Sequence, residues 1–296
     1  MADTAVSTGA QGAAGQRLLR GGLYLLLGLF ALYYLTPLYI MIVTSLKPLA
    51  EIRGGSLMSL PEAPTLAPWD EAWSQACIGV NCGGIQPYFW NSVMIAVPGV
   101  AISTLLGALN GYALTKFRFR GANIIFGLML FGSFIPYQVV LLPLARTLGM
   151  LGLSSTVAGL VLVHVAYGLA FTTLFFRNYY VSLPDELVKA ATIDGAGFFT
   201  IFRRIMLPLS VPILMVTLIW QFTQIWNDFL FGASLTSGGG QPMQVALNNL
   251  VSTSTGVKAH NVDMAAALMT ALPTLVVYVL AGKYFVRGLT AGAVKG

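Results

Sequence analysis

The chain has 296 residues, of which 56% are hydrophobic and only 9% are charged, with a mean hydropathy of +0.77. Those values exclude a soluble core of this size and place the chain among polytopic membrane proteins. The net charge of +6 comes largely from basic residues flanking apolar runs, so it reads as an orientation signal and not as a nucleic-acid footprint.

Six apolar runs are expected to cross the bilayer as helices: Leu23–Ser45, Ser92–Thr115, Ala122–Leu144, Ser155–Phe176, Met206–Leu230 and Met264–Tyr284, each 21 to 25 residues long. That length spans about 30 Å of hydrocarbon. An even number of crossings puts both termini on one side. With the termini in the cytoplasm, 12 basic residues lie inside and 4 (Lys47, Arg53, Arg146 and Lys258) lie outside, as the positive-inside rule requires. The chain is therefore expected to be a multi-pass membrane protein with both termini cytoplasmic and lipid around the spans. Residues 1–16 are mostly small or polar, with Asp3 the one charge, and read as a disordered cytoplasmic tail. Residues 17–288 form the six-helix domain, and 289–296 a cytoplasmic C-terminal tail.

Along the chain, Pro37 predicts a kink in the first span. The loop from Leu46 to Asn91 holds five prolines, which oppose regular helix, and both cysteines, Cys77 and Cys82. Two readings stand for these: a disulfide, or two free thiols; with no histidine or further cysteine nearby, a metal site is not expected. In the second span Gly107 and Gly111 form a small-xxx-small pair that predicts close helix packing. The turn 116–121 carries three bases that anchor the inner face. Pro136, Tyr137 and Gln138 interrupt the third span, predicting either a bend lining a pathway or a packed kink. His164, one turn before Tyr167 and Gly168, is either a buried neutral ring or a substrate contact.

Between the fourth and fifth spans lies a charged island, Pro184 to Pro208, reading PDELVKAATIDGAGFFTIFRRIMLP. Ser182 and Asp185 resemble a capping box for a helix from about Leu183 to Ile193. Gly195 frees a turn, and Asp194 is placed to cap a second helix that carries Phe198, Phe199, Phe202, Arg203 and Arg204. Composition leaves two outcomes open: a compact helical knob, or an amphipathic hairpin on the lipid surface. In the fifth span Thr217, Gln221, Gln224 and Asp228 share one helical face, with Trp220, Trp226 and Phe229 on its flanks. Such a stripe faces a water-filled path, where amides and a carboxylate bond sugar hydroxyls and rings stack on C–H faces, or it bonds another helix. Candidate pathway residues are thus Thr217, Gln221, Gln224, Trp226, Asn227, Asp228, His164 and Tyr137. The run Ser237-Gly238-Gly239-Gly240-Gln241 falls on the outer side and predicts a flexible tip.

The island carries a specific resemblance. Ala190-Ala191, Asp194-Gly195-Ala196, Ile205, Leu207 and Pro208 resemble the cytoplasmic coupling loop, or EAA loop, of importer-type ABC permeases, and are especially similar to the smaller permease subunit of maltose-type sugar importers. The similarity extends through LPLSVPIL at 207–214, WNDF at 226–229, ALPTLVVYVL at 271–280 and GLTAGAVKG at 288–296. One departure is that Lys189 stands where the loop's glutamate is usual, with Glu186 one turn earlier. The resemblance implies an all-α polytopic permease fold of six transmembrane helices with a helix-turn-helix coupling loop at 182–206. It implies ATPase contacts through Glu186, Lys189, Ala190, Ala191, Asp194, Gly195, Ala196 and Phe199, and through the tail residues Ala293, Val294, Lys295 and Gly296.

The implied location is a bacterial cytoplasmic (inner) membrane, and the implied partners are a homologous second permease, two ATPase subunits and an extracytoplasmic sugar-binding protein. No cofactor is expected on this chain itself, ATP and Mg being held by the ATPase subunits. The implied cargo is a monosaccharide such as glucose or mannose, or a small oligosaccharide. An intramembrane enzyme is opposed by the absence of HExxH, GxSxG or paired acidic motifs, and no GxxxxGK[ST] phosphate loop occurs. The alternative, an ion-coupled secondary sugar transporter, calls for intramembrane acids, and Asp228 stands alone near a span end.

Overall fold

The computed structural model describes residues 7–117, 119–252 and 258–293. Its helices are α1 (Ser7–Ser45), α2 (Leu49–Gly54), α3 (Gln86–Lys116), α4 (Ala122–Ser133), α5 (Tyr137–Met150), α6 (Val157–Val181), α7 (Glu186–Ile193), α8 (Phe198–Leu209), α9 (Val211–Trp226), α10 (Leu230–Leu235), α11 (Met243–Ser252) and α12 (His260–Ala293). A π-helical turn at Phe202–Met206 lies within α8. Among the described residues the β structure is a single bridge, Ile78 to Asn81. Four helices, α1, α3, α6 and α12, are long and apolar enough to cross a membrane, and there are six crossings if the bent pairs α4–α5 and α8–α9 each count as one.

The two bends fall where proline chemistry puts them. α4 and α5 meet at 99°, where Pro136 lacks an N–H and pushes Ile135 out of helical geometry. The third span, where the sequence predicts a bend or a kink, is accordingly two half-helices. α8 and α9 meet at 81° across Ser210, because Pro212 in the first turn of α9 cannot donate to the carbonyl of Pro208. The expected fifth span, Met206–Leu230, is thus broken at Ser210, with α9 beginning at Val211. Pro37, by contrast, is carried inside α1 without ending the helix.

The ends of the chain also depart from expectation. α1 starts at Ser7, inside the stretch read as a disordered tail, and α12 runs through Ala293, taking in most of the expected C-terminal tail. Val294, Lys295 and Gly296 lie outside the described residues.

The chain divides into two compact units. In the unit of residues 1–70 and 259–268, Lys47 is 2% exposed and its ammonium donates to the carbonyl of Ser56 at 3.1 Å and to Ser59 Oγ at 2.9 Å. Asn261 donates to the Lys47 carbonyl at 3.0 Å. A long hydrophobic stem and neutral oxygens at its tip let that cation sit inside.

The unit of residues 71–258 and 269–296 is built on the pairing of α3 with α6. Two glycines allow it: a Cβ at Gly107 would lie 2.3 Å from Thr172 Oγ1, and one at Gly111 would lie 2.8 Å from the Arg177 backbone nitrogen. Close approach lets Thr172 Oγ1 donate to the carbonyl of Ser103 at 3.0 Å. This is the small-xxx-small packing the sequence predicted. Substituting Gly111→Val should force the helices apart and cost about 1–3 kcal/mol, lowering the thermal midpoint of the detergent-purified protein. An unchanged midpoint would contradict this account of the pair.

Candidate functional site

The charged island folds as a helix-turn-helix knob. α7 ends at Ile193, Gly195 turns with φ +81°, and α8 begins at Phe198. A residue with a Cβ is strained at that φ, which is the physical demand behind the glycine. The expected caps are not formed. Ser182 instead closes the C-terminus of α6 by donating to the Tyr179 carbonyl, α7 starts at Glu186, and Asp194 ends α7 while Gly197 precedes α8.

One face of the knob is buried against α3 and α6. Ala191, Ile201 and Met206 join Ala108, Tyr112, Phe176 and Tyr180 in one apolar cluster. The Tyr112 ring lies 4.9 Å from Phe198 and 5.7 Å from Phe202 between centroids, within the range of favourable aromatic pairing. Lys116, the last residue of α3, has a side chain only 3% exposed and donates to Asp185 Oδ1 at 2.6 Å and to the Leu183 carbonyl at 2.7 Å. The sequence suggested no more for Lys116 than an inner-face anchor among three bases. Nothing in the local pattern marks it, since its partners lie 67 and 69 residues away.

The opposite face is open. Glu186, Lys189, Ala190, Asp194 and Gly195 are exposed, and two large apolar side chains flank the turn, Ile193 at 85% and Phe199 at 71% exposure. Ala191 is buried and Ala196 half-buried, so these two serve the seat of the knob and not its surface. Charged residues thus surround an apolar tip whose base is packed against α3 and α6.

The second feature is a cavity of about 720 Å³ alongside α9. Of the candidate pathway residues, Gln221, Gln224, Asn227, Asp228, His164 and Tyr137 line it. Two expected members do not. Thr217 is fully buried and donates to the Ile213 carbonyl of its own helix at 2.8 Å. Trp226 points away, is 3% exposed, donates to the Thr270 carbonyl at 2.9 Å and packs on Phe89 and Phe222. Besides Tyr137 and His164, the rings that wall the cavity are Tyr167, Phe171, Trp220, Phe229 and Phe231. Trp220 and Phe229 are the expected flanks of the stripe, whereas helical periodicity alone does not say which residues of the His164 helix face it.

Gln221 is 1% exposed, and its Nε2 makes a long 3.4 Å contact to the His164 carbonyl while its Oε1 has no hydrogen-bond partner. Gly168 makes room for that amide, since a Cβ there would stand 2.0 Å from Nε2. Asp228 caps α10: its carboxylate accepts from the backbone N–H of Phe231 at 3.3 Å and of Gly232 at 3.1 Å. His164 Nε2 lies 3.7 Å from Asp228 Oδ2.

At the far end of α3 from the knob, Cys77 and Cys82 are joined by a disulfide that closes a short hairpin. The glycine-rich run is not a free tip. Asn91 Nδ2 donates to the carbonyls of Gly239 at 2.6 Å and Gln241 at 2.9 Å, and Ser155 and Ser237 hydroxyls meet at 3.1 Å. Among the described residues no group of His, Cys, Asp and Glu is placed to hold a metal ion.

Comparison with known proteins gives a consistent result. Residues 99–289 match the family described as binding-protein-dependent transport system inner membrane component. A probable ABC transporter permease protein of Pyrococcus horikoshii is 40% identical over 275 residues, covering 93% of this chain and 96% of its own. A xylose/arabinose import permease protein of Haloferax volcanii is 34% identical over 291 residues, covering 91% and 92%. Among solved structures, a bacterial ABC transporter involved in the import of the acidic polysaccharide alginate superposes with a TM-score of 0.80 at 22% identity, over 96% of this chain and 100% of that one.

The seat of the knob is directly testable. Lys116→Met removes the bonds to Leu183 and Asp185 and should loosen the knob by about 1–3 kcal/mol, seen as faster limited proteolysis within 186–204. Lys116→Arg should restore most of the protection. Equal cleavage in wild type and Lys116→Met would show that the lysine does not hold the knob.

Proposed function

Because the chain belongs to the family of binding-protein-dependent transport system inner membrane components, we propose that it is the permease half of a sugar importer whose knob at 182–206 is gripped by an ATPase subunit. It is a multi-pass permease subunit of an ABC importer and not an enzyme. The observation that carries the coupling role is the two-sidedness of the knob: one face fused to α3 and α6, the other presenting Ile193 and Phe199 beside Glu186, Lys189 and Asp194. A seat of this kind transmits force, whereas a lipid-surface hairpin needs no fixed base.

The assembly implied is this chain, a second homologous permease, two ATPase subunits holding ATP and Mg, and an extracytoplasmic sugar-binding protein. The basic-residue count supports both termini and the knob lying in the cytoplasm. Closure of the ATPase dimer would draw the two knobs together and rock the spans between inward-open and outward-open arrangements, and hydrolysis would reset them. Sugar relatives such as the xylose/arabinose permease and the aromatic and amide lining of the cavity support a monosaccharide or small oligosaccharide as cargo. Ala293, Val294, Lys295 and Gly296 are proposed to reach the ATPase interface. Family membership favours this reading over an ion-coupled carrier.

In the reconstituted transporter, Phe199→Ser should leave membrane insertion intact and lower binding-protein-stimulated ATP hydrolysis and uptake by at least about tenfold, as loss of a buried aromatic anchor does. Gly195→Val should act in the same direction by straining the turn. Normal uptake in both variants would remove the knob from the coupling path. Lys189→Glu restores the charge usual in the EAA loop; unchanged assembly and ATPase activity would show that this charge is not used.

A further inference from the structure

We propose that the cavity beside α9 holds an uncharged, hydroxyl-rich sugar through Gln221, Gln224 and Asn227, and turns away sugar acids and sugar phosphates. The inference rests on the sugar-import reading and narrows it, since that reading alone admits neutral sugars and charged ones equally.

The argument begins with charge. Among the described residues the lining contains one carboxylate, Asp228, and neither lysine nor arginine. His164 is the one other titratable group there able to carry positive charge, and it already faces Asp228 at 3.7 Å. An anionic sugar entering this space finds no cation to replace its water and meets a like charge, a combination that disfavours it by on the order of 100-fold. Asp228 is also engaged, because its two oxygens accept the N–H groups of Phe231 and Gly232 that open α10. Its role is to fix the turn that carries Phe231 into the wall, not to bind cargo.

What remains for a ligand is amide and aromatic. Gln224 and Asn227 are exposed at the cavity, and Asn227 Oδ1 is shared with Gln244 Nε2 at a long 3.3 Å. Gln221 is buried behind them with Oε1 unsatisfied. An orphaned buried acceptor is costly. A side-chain rotation presenting Oε1 to the cavity gives up only the 3.4 Å contact to His164 and gains a ligand hydroxyl. Trp220 and Phe171, with ring centroids 5.2 Å apart, supply a face for sugar C–H groups. The volume of about 720 Å³ falls in the range of small-ligand sites.

The test uses the whole transporter, with its second permease and ATPase subunits, in lipid nanodiscs and trapped with ATP and vanadate. Direct binding of D-xylose, D-glucose and maltose is compared with that of D-glucuronate and D-glucose 6-phosphate. At least one neutral sugar should bind, and both anions at least about 100-fold more weakly. Gln224→Leu and Gln221→Leu should each weaken the neutral sugar by about tenfold, and Gln224→Arg should raise D-glucuronate binding. Anions binding as well as neutral sugars, or neutral binding untouched by both leucine variants, overturns the proposal. So does failure of all five sugars to bind while ATP-driven uptake of cargo persists. Loss of that uptake in the wild-type complex would instead overturn the permease reading.

Discussion

The packing of Tyr112 against Phe198 and Phe202, locked at its edge by Lys116 reaching Asp185 and the Leu183 carbonyl, is the contact on which the rest of this molecule depends. A knob joined to the membrane helices by flexible chain would absorb an applied displacement. A knob whose aromatic side chains interleave with the ends of α3 and α6 would hand it on, because packed interiors resist compression and shift between discrete arrangements. The glycines at 107 and 111 belong to the same device: by bringing α3 onto α6 they make one beam from two helices.

That beam links the two features of the chain. At one end it carries the knob, and along its length α6 contributes His164, Tyr167 and Gly168 to the cavity while α9, bent off the knob at Ser210, contributes Gln221 and Gln224, with Asn227 and Asp228 just beyond its end. The 81° bend means that α9 is attached directly to the second helix of the knob. Displacement of the knob therefore has two routes to the cavity: through side-chain packing into α6, and through the backbone into α9. Beyond the cavity, Asp228 starts α10, and the loop that follows is held by Asn91 of α3, so the beam also fixes the far end.

Much of this was legible in the sequence because it rests on local chemistry. The long apolar helices, the glycine turn at 195, the glycine seam and the stripe of Gln221, Gln224 and Asp228 all follow from periodicity, length or a backbone requirement. The capping assignments failed where competing bonds were stronger: Ser182 donates backward to close α6, and Asp185 is drawn to Lys116. Thr217 and Trp226 sat on or beside the right stripe, yet a threonine can satisfy itself on its own helix and an indole can find a distant carbonyl. Lys116 and Asn91 were invisible for one reason, since each acts on a segment more than 60 residues away. The glycine run looked free for want of Asn91.

The central claim is that knob and beam move as one body. Spin labels at Ile193→Cys on the knob and Leu105→Cys on the exposed side of α3 report it by electron–electron double resonance, in the assembled transporter with and without ATP. The account predicts that this distance within the chain stays constant on ATP binding while the distance from Ile193→Cys to a label on the ATPase-bound knob of the second permease shortens. A distance within the chain that changes as much as the distance between the knobs would contradict it.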